Sequence, residues 1–124
     1  DDFPRIIGAQ SEACAPLAEA FQKGLDDYAD IEKQDTIAEG VTISNPLRAP
    51  QILDAVRRTD GEIVTVTEKE IRDALKETLK MGFYIEPTSA TALAAIKDYA
   101  YGTTIVPLTG HGLKATNTLG KIFP

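Results

Sequence analysis

Short apolar runs are spread along the chain and predict four β-strands. Residues 5–9 and 62–66 are mostly apolar or β-branched over five positions, as buried strands are. Shorter runs at residues 83–85 and 103–108 predict a third and a fourth strand.

The segments between these runs have the spacing of amphipathic helices. Thr67, followed three residues later by Glu70, predicts a capping box at the start of one helix, and Gly82 suits a left-handed cap at its end. Charged residues at positions 68–80 are expected to form the solvated face of that helix. Apolar residues at helical spacing predict four helices, at Cys14, Leu17, Phe21 and Leu25; at Ile52, Leu53 and Val56; at Ile71, Leu75 and Leu79; and in the alanine-rich stretch that ends near residues 101–102.

The alternation of strands and helices predicts an α/β fold, with residues 1–124 as one domain. Long helical segments between strands favour right-handed crossovers, which give a three-layer structure with a mostly parallel sheet and helices on both faces. The carboxyl ends of parallel strands lie at one edge of the sheet, where ligands bind in this fold class. We therefore expect four loops to converge there, at residues 10–11, Thr67, 86–89 and 109–112.

Composition argues against several classes of function. The 124 residues carry 13 Lys and Arg against 19 Asp and Glu, and the net charge of −6 argues against nucleic acid as a partner. No apolar run approaches the roughly 20 residues of a membrane span and no signal peptide is recognisable, so we expect a cytoplasmic protein without membrane contact. With one cysteine, Cys14, and one histidine, we expect no disulfide framework and no bound metal. Because the first residue is Asp1 rather than Met, we expect the chain to be part of a longer protein.

The clearest candidate chemistry lies in the loop at residues 109–112. Thr109 places a hydroxyl at the tip of a predicted strand, and Gly110 and Gly112 flank His111, the only histidine. Glycine leaves room for a flat ligand against the main chain. A simpler alternative is a strand-to-helix turn in which Thr109 caps the helix and His111 lies on the surface.

Two further loops at the same edge of the sheet offer either polar groups or a glycine that a ligand could approach closely. Glu86 places a carboxylate at a strand end, next to Thr88 and Ser89 at the start of a helix. Either these three residues only cap the helix, or Glu86 points into the crevice toward a ring or a substrate amine. In the polar segment 26–45, Gly40 has no Cβ and so could lie flat under an aromatic cofactor.

Four segments, taken in order, resemble the carboxyl-terminal part of the threonine synthase family. The most specific is the string Thr-Gly-His-Gly-Leu-Lys at residues 109–114, and the others are residues 4–16, 36–46 and 86–90. The resemblance implies part of the large domain of a fold-type-II pyridoxal-phosphate enzyme, of the tryptophan-synthase-β fold type. Such a parent enzyme converts O-phosphohomoserine and water to threonine and phosphate, as a carbon–oxygen lyase acting on phosphate.

The resemblance also implies cofactor-binding roles for four residues. Thr109 would donate its hydroxyl hydrogen to the pyridine nitrogen of pyridoxal phosphate, Gly40 would lie against one face of the ring, and Glu86 would sit beside it. Gly110 would belong to the same cofactor site. A hydroxyl partner, unlike an aspartate, leaves the pyridine nitrogen largely unprotonated and so tempers the ring as an electron sink.

Two parts of the family's machinery are missing from these 124 residues. No lysine stands in the setting expected for the Schiff base with the cofactor, and there is no glycine-rich loop to hold its phosphate. The resemblance therefore implies a carboxyl-terminal fragment without a catalytic residue, which alone is inactive and holds no cofactor. Its expected partners are the missing amino-terminal half, the small amino-acid substrate of the parent enzyme, and further copies in a homo-oligomer.

Two alternatives to this function stay open. The first is another enzyme of the same fold type, such as a threonine or serine dehydratase, a serine racemase or a cysteate synthase, because the string at residues 86–90 resembles theirs as well. The second is a non-catalytic binding module that reuses half of an enzyme fold.

Overall fold

The computed structural model describes residues 3–123, which form two parallel strands with helices packed around them. None of the helices in this range is long and apolar enough to cross a membrane. Short 3₁₀ turns lie at Glu39–Val41 and Gly112–Ala115. The strands and α-helices, in chain order, are β1 (Ile7–Ser11), α1 (Pro16–Gln22), α2 (Ala49–Arg58), β2 (Glu62–Val66), α3 (Glu68–Lys80), α4 (Pro87–Tyr99) and α5 (Thr116–Ile122).

The strands confirm the α/β class, with parallel pairing and helices on both faces. β1 and β2 run parallel in a register that starts with Ile7 opposite Glu62. Successive side chains of β2 point to opposite faces because a strand has a two-residue period. Ile63 packs into a core formed with α1 and α2, whereas Val64 and Val66 pack into a second core formed with α3 and α4. The three layers are therefore helices, a parallel sheet and helices.

The prediction of a third and a fourth strand is wrong for the part of the chain that the structure describes. Among residues 83–85, Ile85 makes a single antiparallel bridge with His111. Residues 103–108 have no strand pairing, and the Ile105 side chain is 87% exposed. β-Branched residues favour an extended chain, but a strand forms only where a neighbour exchanges backbone hydrogen bonds with it. The sheet accordingly has two strands in the described residues.

Local signals predict α3 correctly. Thr67 Oγ1 accepts the Glu70 N–H at 3.2 Å, and Glu70 Oε2 accepts the Thr67 N–H at 2.7 Å, which completes the capping box. The Thr67 N–H, and after it the Thr67 hydroxyl, hold the pKa of the Glu70 carboxyl below its usual value. Gly82, beyond the end of α3, has a φ of +92°, in the left-handed region that glycine favours.

Two other helices differ from the sequence-based expectation. α1 begins at Pro16, two residues later than its apolar stripe indicates. The first turn of α1 has backbone N–H groups without partners inside the helix. The side-chain oxygen of Gln10, in β1, accepts two of them, from Leu17 at 3.0 Å and from Ala18 at 2.9 Å. α5 is missing from the prediction because its buried side chain, Leu119, forms no periodic pattern with neighbouring residues.

Candidate functional site

The first turn of α4 brings three predicted segments into contact. Glu86 is the residue before the helix, and Pro87 occupies the first helical position, where its missing N–H is not needed. The loop that begins at Thr109 contacts one side of this turn, and Gly40 contacts another. We call the group formed by Gly40, Glu86, Thr88, Ser89, Thr109 and Gly110 the α4 cluster.

Hydrogen bonds tie residues 109–110 to α4. The Thr109 hydroxyl donates to Glu86 Oε1 at 3.2 Å, and its oxygen lies 3.2 Å from Ser89 Oγ. The Gly110 N–H donates to Ser89 Oγ at 3.2 Å, and the Gly110 carbonyl accepts the Glu86 N–H at 3.0 Å. Thr109 is exposed, Glu86 is half-buried and Ser89 is buried, so this part of the cluster runs from solvent into the protein.

Two glycines permit these close contacts. A Cβ on Gly110 would lie 2.1 Å from the carboxyl carbon and Oε1 of Glu86. A Cβ on Gly40 would lie 2.7 Å from Thr88 Oγ1, which accepts the Gly40 N–H at 3.2 Å. The side of Gly40 that lacks a Cβ therefore faces Thr88, whereas the sequence suggested that it leaves room for a ring. Contact with α4 is thus the structural reason for glycine at both positions.

The simpler capping alternatives do not account for the cluster. The N-cap position of α4 is Glu86, whose side chain makes no capping hydrogen bond, and Thr88 and Ser89 lie inside the first turn. Thr109 does not cap the 3₁₀ turn that follows it. That turn is capped by His111, whose Nδ1 accepts a backbone N–H at 3.2 Å and whose side chain lies on the surface.

A second network holds the segment that leads to Gly40. Ser11, buried at the end of β1, donates its hydroxyl hydrogen to Thr36 Oγ1 at 3.4 Å, and the Thr36 hydroxyl donates to Glu68 Oε2 at 2.7 Å. Glu68 Oε1 accepts the Ile37 N–H at 3.1 Å. The sequence placed Glu68 on the solvated face of α3. The signal that could have found it is its position in the first helical turn after a strand, at the edge where ligands bind.

The two networks join the four loops that were expected to converge. Ser11 is the last residue of β1, and Glu68 is the first residue of α3, which follows β2. Residues 36–40 connect both to Thr88, and the first turn of α4 connects to Thr109. The site offers an exposed hydroxyl donor beside a carboxylate at a helix N-terminus, which suits hydrogen bonding to a polar ring edge. No group of three or more His, Cys, Asp or Glu side chains placed for a metal occurs among residues 3–123. Of the site residues expected from the sequence, the structure brings together Gly40, Glu86, Thr109 and Gly110.

Comparison with known proteins relates this chain to enzymes that use pyridoxal phosphate. The family described as "Pyridoxal-phosphate dependent enzyme" matches residues 1–110. The chain is 35% identical over 122 residues to the threonine synthase of Methanocaldococcus jannaschii, a match that covers 92% of this chain and 30% of the relative. It is 30% identical over 127 residues to the threonine synthase of Methanosarcina acetivorans, covering 96% of this chain and 31% of the relative. The chain thus spans about 30% of the length of these relatives.

Solved structures share the fold. The threonine synthase of Escherichia coli matches with a TM-score of 0.80 and 19% identity, over 95% of this chain and 28% of that one. The structure of T.th. threonine deaminase matches with a TM-score of 0.63 and 25% identity, over 86% of this chain and 39% of that one. These matches confirm the expected fold class, and the matching relatives confirm the resemblance to the threonine synthases.

Proposed function

This chain belongs to the pyridoxal-phosphate dependent enzyme family, and we propose on that basis that it is the carboxyl-terminal portion of a threonine synthase. The complete protein would convert O-phosphohomoserine and water to threonine and phosphate, a carbon–oxygen lyase reaction. Support comes from two threonine synthases that are 35% and 30% identical over most of the chain. The observation that carries the proposed cofactor site is the contact of the Thr109 hydroxyl with Glu86 and Ser89 at the start of α4.

The donors and acceptors of the α4 cluster fit the edge of a pyridine ring. Thr109 has an exposed, neutral hydroxyl that would donate to the ring nitrogen, while Glu86 would lie beside the ring. Gly40 would contact one face of the ring through its main chain, because its side without a Cβ faces Thr88. Gly110 lets the Thr109 loop approach Glu86 closely. When bound, the cofactor supplies an electron sink for elimination and hydration. Because a hydroxyl is a weak acid, Thr109 would leave the nitrogen unprotonated and so limit the strength of that sink.

The remaining parts of the site would come from a longer polypeptide. This chain matches about 30% of the length of its threonine synthase relatives. We place the lysine that anchors the cofactor, and the loop that holds its phosphate, in the part of those enzymes that this chain does not match. The α4 cluster would then form one wall of the cofactor site, and the chain alone would be inactive.

Exposed apolar side chains on both sides of Thr109 support the proposal that another part of the complete protein covers this surface. Ile105 is 87% exposed, Leu108 47% and Leu113 71%. Single exposed apolar side chains are normal on a protein surface, but these three lie within residues 105–113, on both sides of the candidate cofactor contact. In our proposal the amino-terminal half covers this surface and residues 1–124 belong to a single α/β domain. The complete enzyme acts in the cytoplasm as a homo-oligomer on a small amino-acid substrate.

A threonine deaminase is the second candidate. The T.th. threonine deaminase structure shares 25% identity and a TM-score of 0.63 with this chain. The proposed contact of Thr109 with the ring nitrogen would be the same in either enzyme. The two candidates therefore differ in their substrate rather than in the α4 cluster.

An assay of the complete protein distinguishes the candidates. The protein encoded by the gene read upstream of Asp1 is loaded with pyridoxal phosphate and given O-phosphohomoserine or threonine. Release of phosphate with formation of threonine supports a threonine synthase, whereas deamination of threonine without phosphate release favours the second candidate. If the cofactor-loaded protein shows neither activity, both candidate functions are contradicted. The chain alone, mixed with pyridoxal phosphate, is expected to show no stoichiometric binding at a specific site.

A further inference from the structure

Ser89 connects the Thr109 loop to the interior of the protein. Its side chain is 2% exposed and lies in the first turn of α4. Ser89 Oγ accepts the Gly110 N–H at 3.2 Å and lies 3.2 Å from Thr109 Oγ1. The proposed function uses this contact as an observation but assigns the Ser89 hydroxyl no role of its own.

The direction of the hydrogen bonds around Ser89 follows from the chemistry of its neighbours. A backbone N–H can only donate, so Ser89 Oγ accepts from Gly110 and keeps its own hydrogen for another partner. A carboxylate can only accept, so the single hydroxyl hydrogen of Thr109 goes to Glu86 Oε1. In the contact between Ser89 and Thr109, Ser89 is therefore the donor.

We infer that Ser89 is a positioning residue that orients the Thr109 hydroxyl, an inference that rests on the proposed function. The Ser89 hydrogen occupies one lone pair of Thr109 Oγ1, which directs the hydrogen of Thr109 away from the helix, toward Glu86 or the ring nitrogen. Consecutive hydroxyls that donate in one direction also polarise one another, which strengthens the last donor. Without Ser89, the exposed Thr109 oxygen would accept from water instead, and the contact with Glu86 alone would orient its hydrogen.

A second buried hydroxyl in α4 provides a matched control. Thr91 is 1% exposed, and its Oγ1 has no hydrogen-bond partner among the described residues. Thr91→Val keeps the side-chain shape and removes a hydroxyl that makes no bond. A difference between variants at Ser89 and Thr91 therefore reports on the contact with Thr109, because both hydroxyls are buried in the same helix.

The experiment compares Ser89→Ala, Thr109→Val, the double variant and Thr91→Val in the complete, cofactor-loaded protein. We expect Ser89→Ala to speed hydrogen exchange of the Gly110 amide about ten-fold and to lower kcat by a similar factor, as the loss of one hydrogen bond does. It should also shift the absorbance of the bound cofactor in the same direction as Thr109→Val. In the double variant, the Ser89 change should add nothing to the effect of Thr109→Val on the spectrum, since Ser89 acts through Thr109. Thr91→Val should match the unmodified protein in all three measurements.

The outcomes separate this inference from the proposed function. A spectrum that shifts with Thr109→Val but not with Ser89→Ala overturns the role of Ser89 and leaves the proposed function standing. A spectrum unaffected by Thr109→Val contradicts the proposed function itself, and the inference falls with it. If Ser89→Ala does not fold, Ser89→Thr retains the hydroxyl and must preserve both the spectrum and the slow exchange of the Gly110 amide. A folded Ser89→Thr protein with a shifted spectrum overturns the inference.

Discussion

Replacing Gly110 by alanine tests how closely the Thr109 loop contacts α4. The new Cβ would lie 2.1 Å from the Glu86 carboxyl group, whereas ordinary contacts begin at 3.4 Å, so the carboxyl group has to move by about 1.3 Å. It stands at the far end of a flexible, half-buried side chain and can move without the backbone. The expected result is a small loss of stability together with separation of Glu86 from Thr109.

The magnitude follows from two opposing effects. Moving Glu86 breaks its hydrogen bond with Thr109, which costs about 0.5 to 1.5 kcal/mol. Alanine also restricts the unfolded chain, which offsets about 0.4 to 1 kcal/mol of that loss. With central values of about 1 kcal/mol for the loss and about 0.7 kcal/mol for the offset, we expect Gly110→Ala to lower the free energy of unfolding by a few tenths of a kcal/mol, and by no more than about 1 kcal/mol.

Two other glycines bracket this result. A Cβ on Gly61 would lie 2.1 Å from the Ile6 carbonyl oxygen, which cannot move without displacing the main chain, so we expect a loss of about 3 kcal/mol. Gly120 lies in α5, and a Cβ added there would meet nothing within 4 Å, so we expect Gly120→Ala to gain about 0.5 to 1 kcal/mol.

Urea unfolding followed by far-UV circular dichroism measures all three free energies. The expected order of stability is Gly120→Ala, the unmodified protein, Gly110→Ala and Gly61→Ala. A Gly110→Ala protein as unstable as Gly61→Ala, or as stable as Gly120→Ala, would refute the reasoning. In the first case Glu86 is not free to move, and in the second it does not pack against Gly110.

Three further substitutions test the supports of the site. Thr67→Ala should lower the free energy of unfolding by about 1 kcal/mol in urea, and in combination with Glu70→Gln the two losses should not add, because both residues form one capping box. The pKa of Glu70 is lowered in the folded protein, so its ionised form contributes stability that is lost as pH falls below 4.5 and through the folded value. Glu70→Gln should therefore flatten acid unfolding curves in that range. Glu68→Ala should speed hydrogen exchange of the Ile37 amide about ten-fold, measured by NMR, because it removes the acceptor of that N–H.

A matched control for these three variants is Glu77→Gln, which removes an exposed charge from the same helix. It should leave the stability, the acid unfolding curve and the Ile37 exchange rate unchanged. If Thr67→Ala and Glu70→Gln are fully additive, the capping box is not a unit. An acid unfolding curve that Glu70→Gln leaves unchanged, or Ile37 exchange that Glu68→Ala leaves unchanged, contradicts the hydrogen bonds described for those residues.

Local signals in the sequence were sufficient for the elements that depend on neighbouring residues. The capping box of Thr67 and Glu70 and the left-handed Gly82 need only residues within one or two turns. β1 and β2 were found because both are largely apolar and pair with each other inside the described chain. The bounds of β2 were predicted correctly, whereas β1 lies two residues later than the predicted 5–9, so that residues 10–11 belong to the strand and not to a loop. Residues 103–108 carry the same kind of pattern, but without a neighbouring strand they stay unpaired, and no pattern within six residues reveals that difference.

The α4 cluster was predicted in part for a similar reason. The sequence correctly predicted that Glu86 and Thr109 lie together, but for the wrong reason, because the described segments before them form no strands of the sheet. A single antiparallel bridge between Ile85 and His111 brings the two loops together instead. The contacts of Glu68 with Thr36 and of Thr88 with Gly40 were not predicted. They join residues 32 and 48 positions apart, and only the packing of the folded chain determines such pairs.

The pyridine nitrogen of bound pyridoxal phosphate reports most directly on the central claim, that Thr109 is its hydrogen-bond donor. Cofactor labelled with ¹⁵N at the ring is bound to the complete protein and observed by NMR in the unmodified form, in Thr109→Val and in Thr104→Val, an exposed control on the same segment. We expect an unprotonated, hydrogen-bonded nitrogen in the unmodified and Thr104→Val proteins, and a clear change of chemical shift in Thr109→Val. One chemical shift shared by all three proteins, or a protonated nitrogen in the unmodified protein, would contradict the account.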